Sequence, residues 1–201
     1  MSEQMNDHLF PVYLKLRGRA VLLVGGGAVA CAKLPELIRA GALVTVVAPE
    51  VRCEITSFGG VIVVQRGFVP SDLDNVWFVV AAASAEVNRE VVAAAQERRV
   101  FVNAVDDADR ASAYTGGVFR RGGVTIAVST EGRAPALAGL LREGLEALLP
   151  EDIEAWVVAA RRLRQEQRAA GVPMADRRPI LLGALNQLYE ARGIGRSEAK
   201  A

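Results

Sequence analysis

The sequence is most informative first for what it has little of. There is one histidine in 201 residues, His8, so neither a His-His metal site nor an imidazole relay can be built. There are two cysteines, Cys31 and Cys53, in no C-x-x-C spacing. That pattern argues against a disulfide scaffold and a thiolate metal cage, and no metal site is expected. Aromatic residues make up only 5% of the chain. Charge of one sign is not in excess: 24 basic and 23 acidic residues leave +1. Nucleic-acid binders carry a clustered basic surplus, so DNA or RNA is not expected as a partner. Long apolar runs are missing too. The longest, Ala20–Val24 and Val76–Ala83, fall far short of the ~18 residues of a membrane span. Met1–His8 lacks a basic segment before an apolar one and does not read as a signal peptide. The expected location is cytoplasmic, with no membrane partner.

What is present is an alternation. Ala20–Val24 is wholly apolar and runs into Gly25-Gly26-Gly27. Val29–Ala40 has helical spacing, and Gly41 is a natural stop. Leu43–Val47 reads as a second strand, Arg52–Phe58 as a short helix, and Val61–Val64 as a third strand. Val76–Ala81 is a fourth strand, Glu86–Arg98 a helix and Val100–Val102 a fifth strand. Strands this apolar are buried on both faces, which means a parallel sheet covered by helices. The expected fold class is therefore α/β, a Rossmann-like doubly wound sheet.

The pattern changes near Ala113. Tyr114–Arg120 and Val124–Ser129 read as two strands joined across Arg121-Gly122-Gly123. Pro135 opens a helix with Leu137, Leu140, Leu141, Leu145 and Leu148 in one stripe. Helices over Glu151–Ala169 and Pro179–Arg192 follow, and Ser197–Ala201 reads as a frayed tail. The expected domains are 1–113 for dinucleotide binding, 114–150 as a small α+β dimerisation segment, and 151–201 as a helical segment.

Three segments carry chemistry. Gly25-Gly26-Gly27-Ala28-Val29-Ala30 fits G-x-G-x-x-A between a strand and a helix. Gly25 permits the turn, Gly27 lets the backbone approach a pyrophosphate, and Ala30 allows close helix–sheet packing. The alternative is a glycine turn with no ligand. The acidic residue that often holds the ribose at the second strand's end is displaced. Here that end reads Val47-Ala48-Pro49-Glu50, and Arg52 beyond it could accept a 2′-phosphate, so these residues alone do not separate NAD from NADP.

The second segment, Asn103-Ala104-Val105-Asp106-Asp107, follows the fifth strand, at the crevice end of the sheet, where a carboxylate within hydrogen-bond reach of a substrate can act as a general base; the alternative is that Asp106, Asp107 and Asp109 are ordinary loop residues. The third is Ser129-Thr130-Glu131-Gly132-Arg133 before Pro135. Its hydroxyls, free N–H groups and guanidinium can hold an anion, and the plain alternative is capping of the helix.

In this order and spacing the segments resemble the precorrin-2 dehydrogenase/sirohydrochlorin ferrochelatase module of sirohaem synthesis. The resemblance begins at Phe10-Pro11-Val12-Tyr13-Leu14-Lys15-Leu16 and runs through the glycine loop and Val44–Glu50. It is most specific at Phe101–Asp106 and Ile126–Ala138. It implies oxidation of precorrin-2 to sirohydrochlorin with NAD as cofactor. It implies a homodimer whose segment 114–150 exchanges between subunits. It implies that Asp106 is central to dehydrogenation and, in bifunctional members, to insertion of Fe²⁺. Residue by residue it places the cofactor on Gly25, Gly27, Ala28, Val29, Pro49 and Glu50. The substrate is expected at Asn103, Ser129, Thr130 and Arg133, with Arg120, Arg121 and Arg142 as further carboxylate clamps. The chain departs from the family at Ala32, at Thr130 and over Tyr114-Thr115-Gly116-Gly117. Its length corresponds to the module without a methyltransferase half, so a standalone form is expected. The competing reading is a non-catalytic regulatory NAD-binding domain, which would account for the glycine loop but not for the second and third segments.

Overall fold

A computed structural model describes residues 9–105 and 107–190 of the chain. The described residues fall into two compact units: 9–115 with 129–134, and 116–128 with 135–190.

The first unit is built on five parallel strands. These are β1 (Ala20–Val24), β2 (Leu43–Val47), β3 (Ile62–Val64), β4 (Phe78–Ala81) and β5 (Phe101–Ala104), in spatial order β3-β2-β1-β4-β5. Their pleat explains the uniform apolarity. Leu22 and Val24 of β1 point into one core with Val79, Val91, Val92 and Ala95. Val21 and Leu23 point into the other, with Leu34, Val44, Val46, Ile55 and Val80. Helix α1 (Ala28–Arg39) covers the second face and α3 (Ala85–Arg98) the first; α2 (Cys53–Thr56) is one turn. The fold is the expected doubly wound sheet.

The parallel register places Val24 opposite Val47 and Ala81, and Ala81 opposite Ala104. The segments after these four strands therefore share one edge. The strand order reverses between β1 and β4, the point at which such sheets open a ligand crevice.

The second unit contains the antiparallel pair β6 (Gly117–Arg121) and β7 (Val124–Val128), then α4 (Pro135–Leu148), α5 (Ile153–Ala169) and α6 (Met174–Glu190). Gly122 and Gly123, at φ 53 and 84, make the hairpin turn that two left-handed residues allow. A side chain at Gly122 would collide with the Glu154 backbone, 2.7 Å from its nitrogen.

Two elements differ from expectation by more than two residues. The strand expected from Tyr114 begins at Gly117, because the side chains of Tyr114 and Thr115 are tied to the first unit. The last helix begins at Met174, five residues before Pro179. The Asp176 N–H donates to Pro173 O at 3.1 Å, and Arg177 Nε donates to Val172 O at 3.0 Å, fastening an early first turn. The expected tail over Ser197–Ala201 lies outside the described residues.

Candidate active site

The glycine loop is shaped by its neighbours. Gly25 has φ 124, and a Cβ there would overlap Ala82 O and lie 2.7 Å from the Ala82 carbonyl carbon. Gly26 leaves no room either, since a Cβ would overlap Glu50 O and lie 2.8 Å from Val51 Cα. Gly27 is different: its missing Cβ faces open space. Gly27 also caps α1 with extended backbone and no side-chain cap. The first-turn N–H groups are thus offered to the crevice, and Gly27, Ala28 and Val29 are exposed there while Ala30 is fully buried. A loop closed on two sides and open on the third fits a pyrophosphate.

Pro49 and Glu50 are exposed on the turn after β2. That turn is fastened to the glycine loop by Arg52 N–H donating to Gly26 O at 3.0 Å. Beside it the Arg52 guanidinium grips Glu54, and with the Glu54 backbone and the Cys53 thiol it holds that carboxyl down to about 2.

Gly26 was not singled out by the motif, because its constraint comes from residues some 25 positions away. We expect Gly26→Ala to cost about 1–3 kcal/mol, since backbone rather than a flexible side chain must move. Urea denaturation with an unchanged midpoint would contradict this.

Asp106 lies outside the described residues. Val105 N–H donates to Ala81 O at 2.9 Å, which continues the β4–β5 ladder past the strand. Asn88, buried on α3, accepts from Ala83 N–H at 3.0 Å and donates to Val105 O at 3.5 Å. It ties the segments after β4 and β5 together. The signal was a lone amide on the apolar face of Val91, Val92 and Ala95. Asp107 is ion-paired with Arg110 at 2.9 Å.

Asn103 is buried, and both ends of its amide have protein partners. Nδ2 donates to Ala113 O at 3.0 Å, and Oδ1 accepts from Thr115 Oγ1 at 3.4 Å. Lys33 Nζ of α1 donates to the same Thr115 hydroxyl at 2.9 Å. Asn103 is therefore a framework residue that holds segment 113–115 beside β5.

The third segment packs on the second. Tyr114 donates its hydroxyl to Ala108 O at 2.7 Å, and a Cβ on Gly132 would stand 2.7 Å from Ala108 Cβ and 3.3 Å from the Tyr114 ring. Glu131 and Gly132 are left-handed in succession, at φ 57 and 74. Ser129 Oγ accepts from Glu131 N–H at 3.1 Å, and Thr130 Oγ1 accepts from Ala134 N–H at 3.2 Å. The hydroxyls thus hold the turn's own backbone. The Arg133 side chain is 80% exposed, 3.9 Å from Glu131. The Asn103, Ser129, Thr130 and Arg133 segments stand together in the first unit. Arg121 and Arg142 both pair with Glu146 in the second, at 3.3 and 2.8 Å, and Arg142 also pairs with Glu143 at 2.9 Å. Among the described residues no group of three or more His, Cys, Asp or Glu could hold a metal ion.

Residues 12–117 match the family model described as "Putative NAD(P)-binding". The chain belongs to that NAD(P)-binding family. Residues 121–148 match a second model, "Sirohaem biosynthesis protein central". The chain is 42% identical over 185 residues to "Siroheme synthase 3" of Aeromonas hydrophila subsp. hydrophila, covering 89% of this chain and 39% of that one. It is 39% identical over 184 residues to "Siroheme synthase" of Photorhabdus laumondii subsp. laumondii, covering 90% and 39%. The chain thus spans about two fifths of the length of these relatives. A solved structure titled "SirC, precorrin-2 dehydrogenase" superposes with a TM-score of 0.68 at 28% identity, covering 87% of this chain and 88% of that one. Family membership supports a nicotinamide dinucleotide as the chain's cofactor. No described helix is long and apolar enough to cross a membrane.

Proposed function

We propose that this protein oxidises precorrin-2 to sirohydrochlorin, with NAD as its cofactor. The observation that carries the reading is one shared edge. The open glycine loop, the Asn103–Asp107 segment and the Ser129–Arg133 turn packed against it all belong to the first unit. The sirohaem synthase relatives and the precorrin-2 dehydrogenase structure support the choice of substrate.

When bound, the nicotinamide ring supplies a hydride acceptor. The chain does the rest. Gly25, Gly27, Ala28 and Val29 seat the pyrophosphate, and Pro49 and Glu50 border the ribose. The Ser129–Arg133 turn, with Arg133 as its cation, meets the substrate's carboxylates. Asn103 fixes the wall behind it. Asp106 takes the proton that must leave with the hydride. Insertion of Fe²⁺, as substrate, where the protein performs it, uses the same carboxylate for the ring N–H protons. Anaerobic incubation with precorrin-2 and NAD, followed by absorbance, should give sirohydrochlorin. Dinucleotide binding without turnover would instead establish the regulatory reading.

The domain reading is 1–113 for the dinucleotide, 114–150 for dimerisation and 151–201 as a helical segment, in a cytoplasmic homodimer. Its support is the α4 stripe, where Leu140 is 66% and Leu148 81% exposed. Burying a leucine gains about 1.5–3 kcal/mol. Replacing Leu140 and Leu148 by arginine should therefore weaken the dimer by at least about 100-fold, since every 1.4 kcal/mol is tenfold. Light scattering would show a dimer at micromolar concentration turning monomeric; a monomeric wild type refutes the assembly.

A further inference from the structure

The turn after β2 carries a feature that the dinucleotide reading does not use. In folds of this class, an arginine near the end of the second strand accommodates the 2′-phosphate that distinguishes NADP from NAD. Arg52 stands in that place, five residues past Val47, and its backbone is fixed to the glycine loop through Gly26 O. Its guanidinium is already engaged. Nη2 lies 2.6 Å from Glu54 Oε1, and Nε lies 3.2 and 3.3 Å from the two carboxylate oxygens. Both side chains are about half exposed, at 51% and 47%. An exposed pair of this kind adds little to stability. Its consequence is local: the cation that would greet a 2′-phosphate is neutralised, and a fixed anion stands in its place.

We propose that Glu54 is a cofactor-selectivity residue, which sequesters Arg52 and so excludes dinucleotides bearing a 2′-phosphate. This rests on the dinucleotide reading above. Removing the Glu54 charge frees a guanidinium whose planar fork suits phosphate. It also removes the repulsion a phosphate would meet.

The test is calorimetric titration of the purified protein with NAD⁺ and with NADP⁺, without substrate. Wild type should prefer NAD⁺. Glu54→Gln should shift the NADP⁺-to-NAD⁺ affinity ratio toward NADP⁺ by about tenfold, or about 1.4 kcal/mol. The double variant Arg52→Ala/Glu54→Gln should lose that shift, because the released guanidinium is its source. Thermal melting checks that each variant is folded, and the ratio cancels any general loss of affinity. An unchanged ratio in Glu54→Gln overturns the proposal, as does a shift that survives in the double variant. Wild type preferring NADP⁺ overturns the selectivity role but leaves the dinucleotide site standing. Wild type binding neither removes both.

Discussion

An aspartate at position 27 should abolish dinucleotide binding while leaving the fold as stable as before, or slightly more so. The two effects separate because of where Gly27 stands. A Cβ there meets nothing, and the backbone, at φ −86 and ψ −168, is open to any residue. Nothing in the folded protein has to move. Asparagine, aspartate and serine are the favoured helix N-caps, and this residue is the N-cap of α1, without a side-chain cap. The new carboxylate would accept from the first-turn N–H groups and sit favourably at the positive end of the helix. Those are the same N–H groups a pyrophosphate needs. Gly27→Asp therefore satisfies the anion site from within and repels the anion that belongs there. A loss of at least about 100-fold in NAD affinity is expected, corresponding to the loss of two charge-assisted hydrogen bonds at ~1.5 kcal/mol each. Stability should stay within about 0.5 kcal/mol of wild type or rise. Gly26→Ala should show the opposite profile, with the fold itself weakened. Calorimetry and thermal melting on the two variants separate the cases. Unchanged NAD affinity in Gly27→Asp would remove the dinucleotide assignment altogether.

How much of this was legible in the sequence follows from the range of the constraints. The sheet was legible because its cause is local: a run such as Ala20–Val24 can be buried only on both faces, and the glycines at its end mark the first crossover. Gly27 was legible for the same reason, since its freedom is toward solvent and ligand. Gly26 was not, because the Glu50 and Val51 backbone that forbids a side chain there arrives from the turn after β2. The start of α6 was misread at Pro179 because proline favours a first turn. In the fold, Pro179 is the sixth helical residue, and an earlier turn is held by Arg177 donating to Val172 O and by the buried Gln167, whose Nε2 lies 3.5 Å from Arg177 O. Likewise Tyr114 has strand propensity, but its hydroxyl is spent on Ala108 O, which anchors the residue to the loop after β5. The hydroxyls of Ser129 and Thr130 illustrate a third limit. Their types suggest either an anion site or local capping; both oxygens accept from backbone N–H groups of the turn, at Glu131 and Ala134, and their own O–H groups can still donate. Arg133, 80% exposed on the turn with Glu131 3.9 Å away, is the cation proposed to meet a carboxylate substrate.

Replacing Asp106 with asparagine should separate binding from chemistry. The exchange keeps size and removes the base. Its flanks are held independently of it, through Val105 N–H on Ala81 O and through Asn88 on Val105 O, so the loop keeps its anchor when the charge is lost. NAD affinity should then persist, because the glycine loop and the turn after β2 are untouched. Dehydrogenation should fall by about 10²–10⁴-fold, the usual contribution of a positioned proton acceptor. Insertion of Fe²⁺, where wild type performs it, should fall to the spontaneous rate, because the ring N–H protons lose the same acceptor. The neighbouring carboxylates provide the control. Asp107 is engaged by Arg110 at 2.9 Å, so its carboxylate is turned to a partner of its own, and Asp109 is exposed. Asp107→Asn should therefore cost less than about tenfold, well below the loss expected at a true proton acceptor. Single-turnover rates with precorrin-2 and NAD, beside calorimetry on the same samples, would show the split. If Asp106→Asn turns over at the wild-type rate, the shared-base mechanism is wrong, and the proton must pass to Asp107, Asp109 or a bound water. If it loses NAD affinity in parallel with rate, Asp106 shapes the dinucleotide site and its part in the chemistry is indirect.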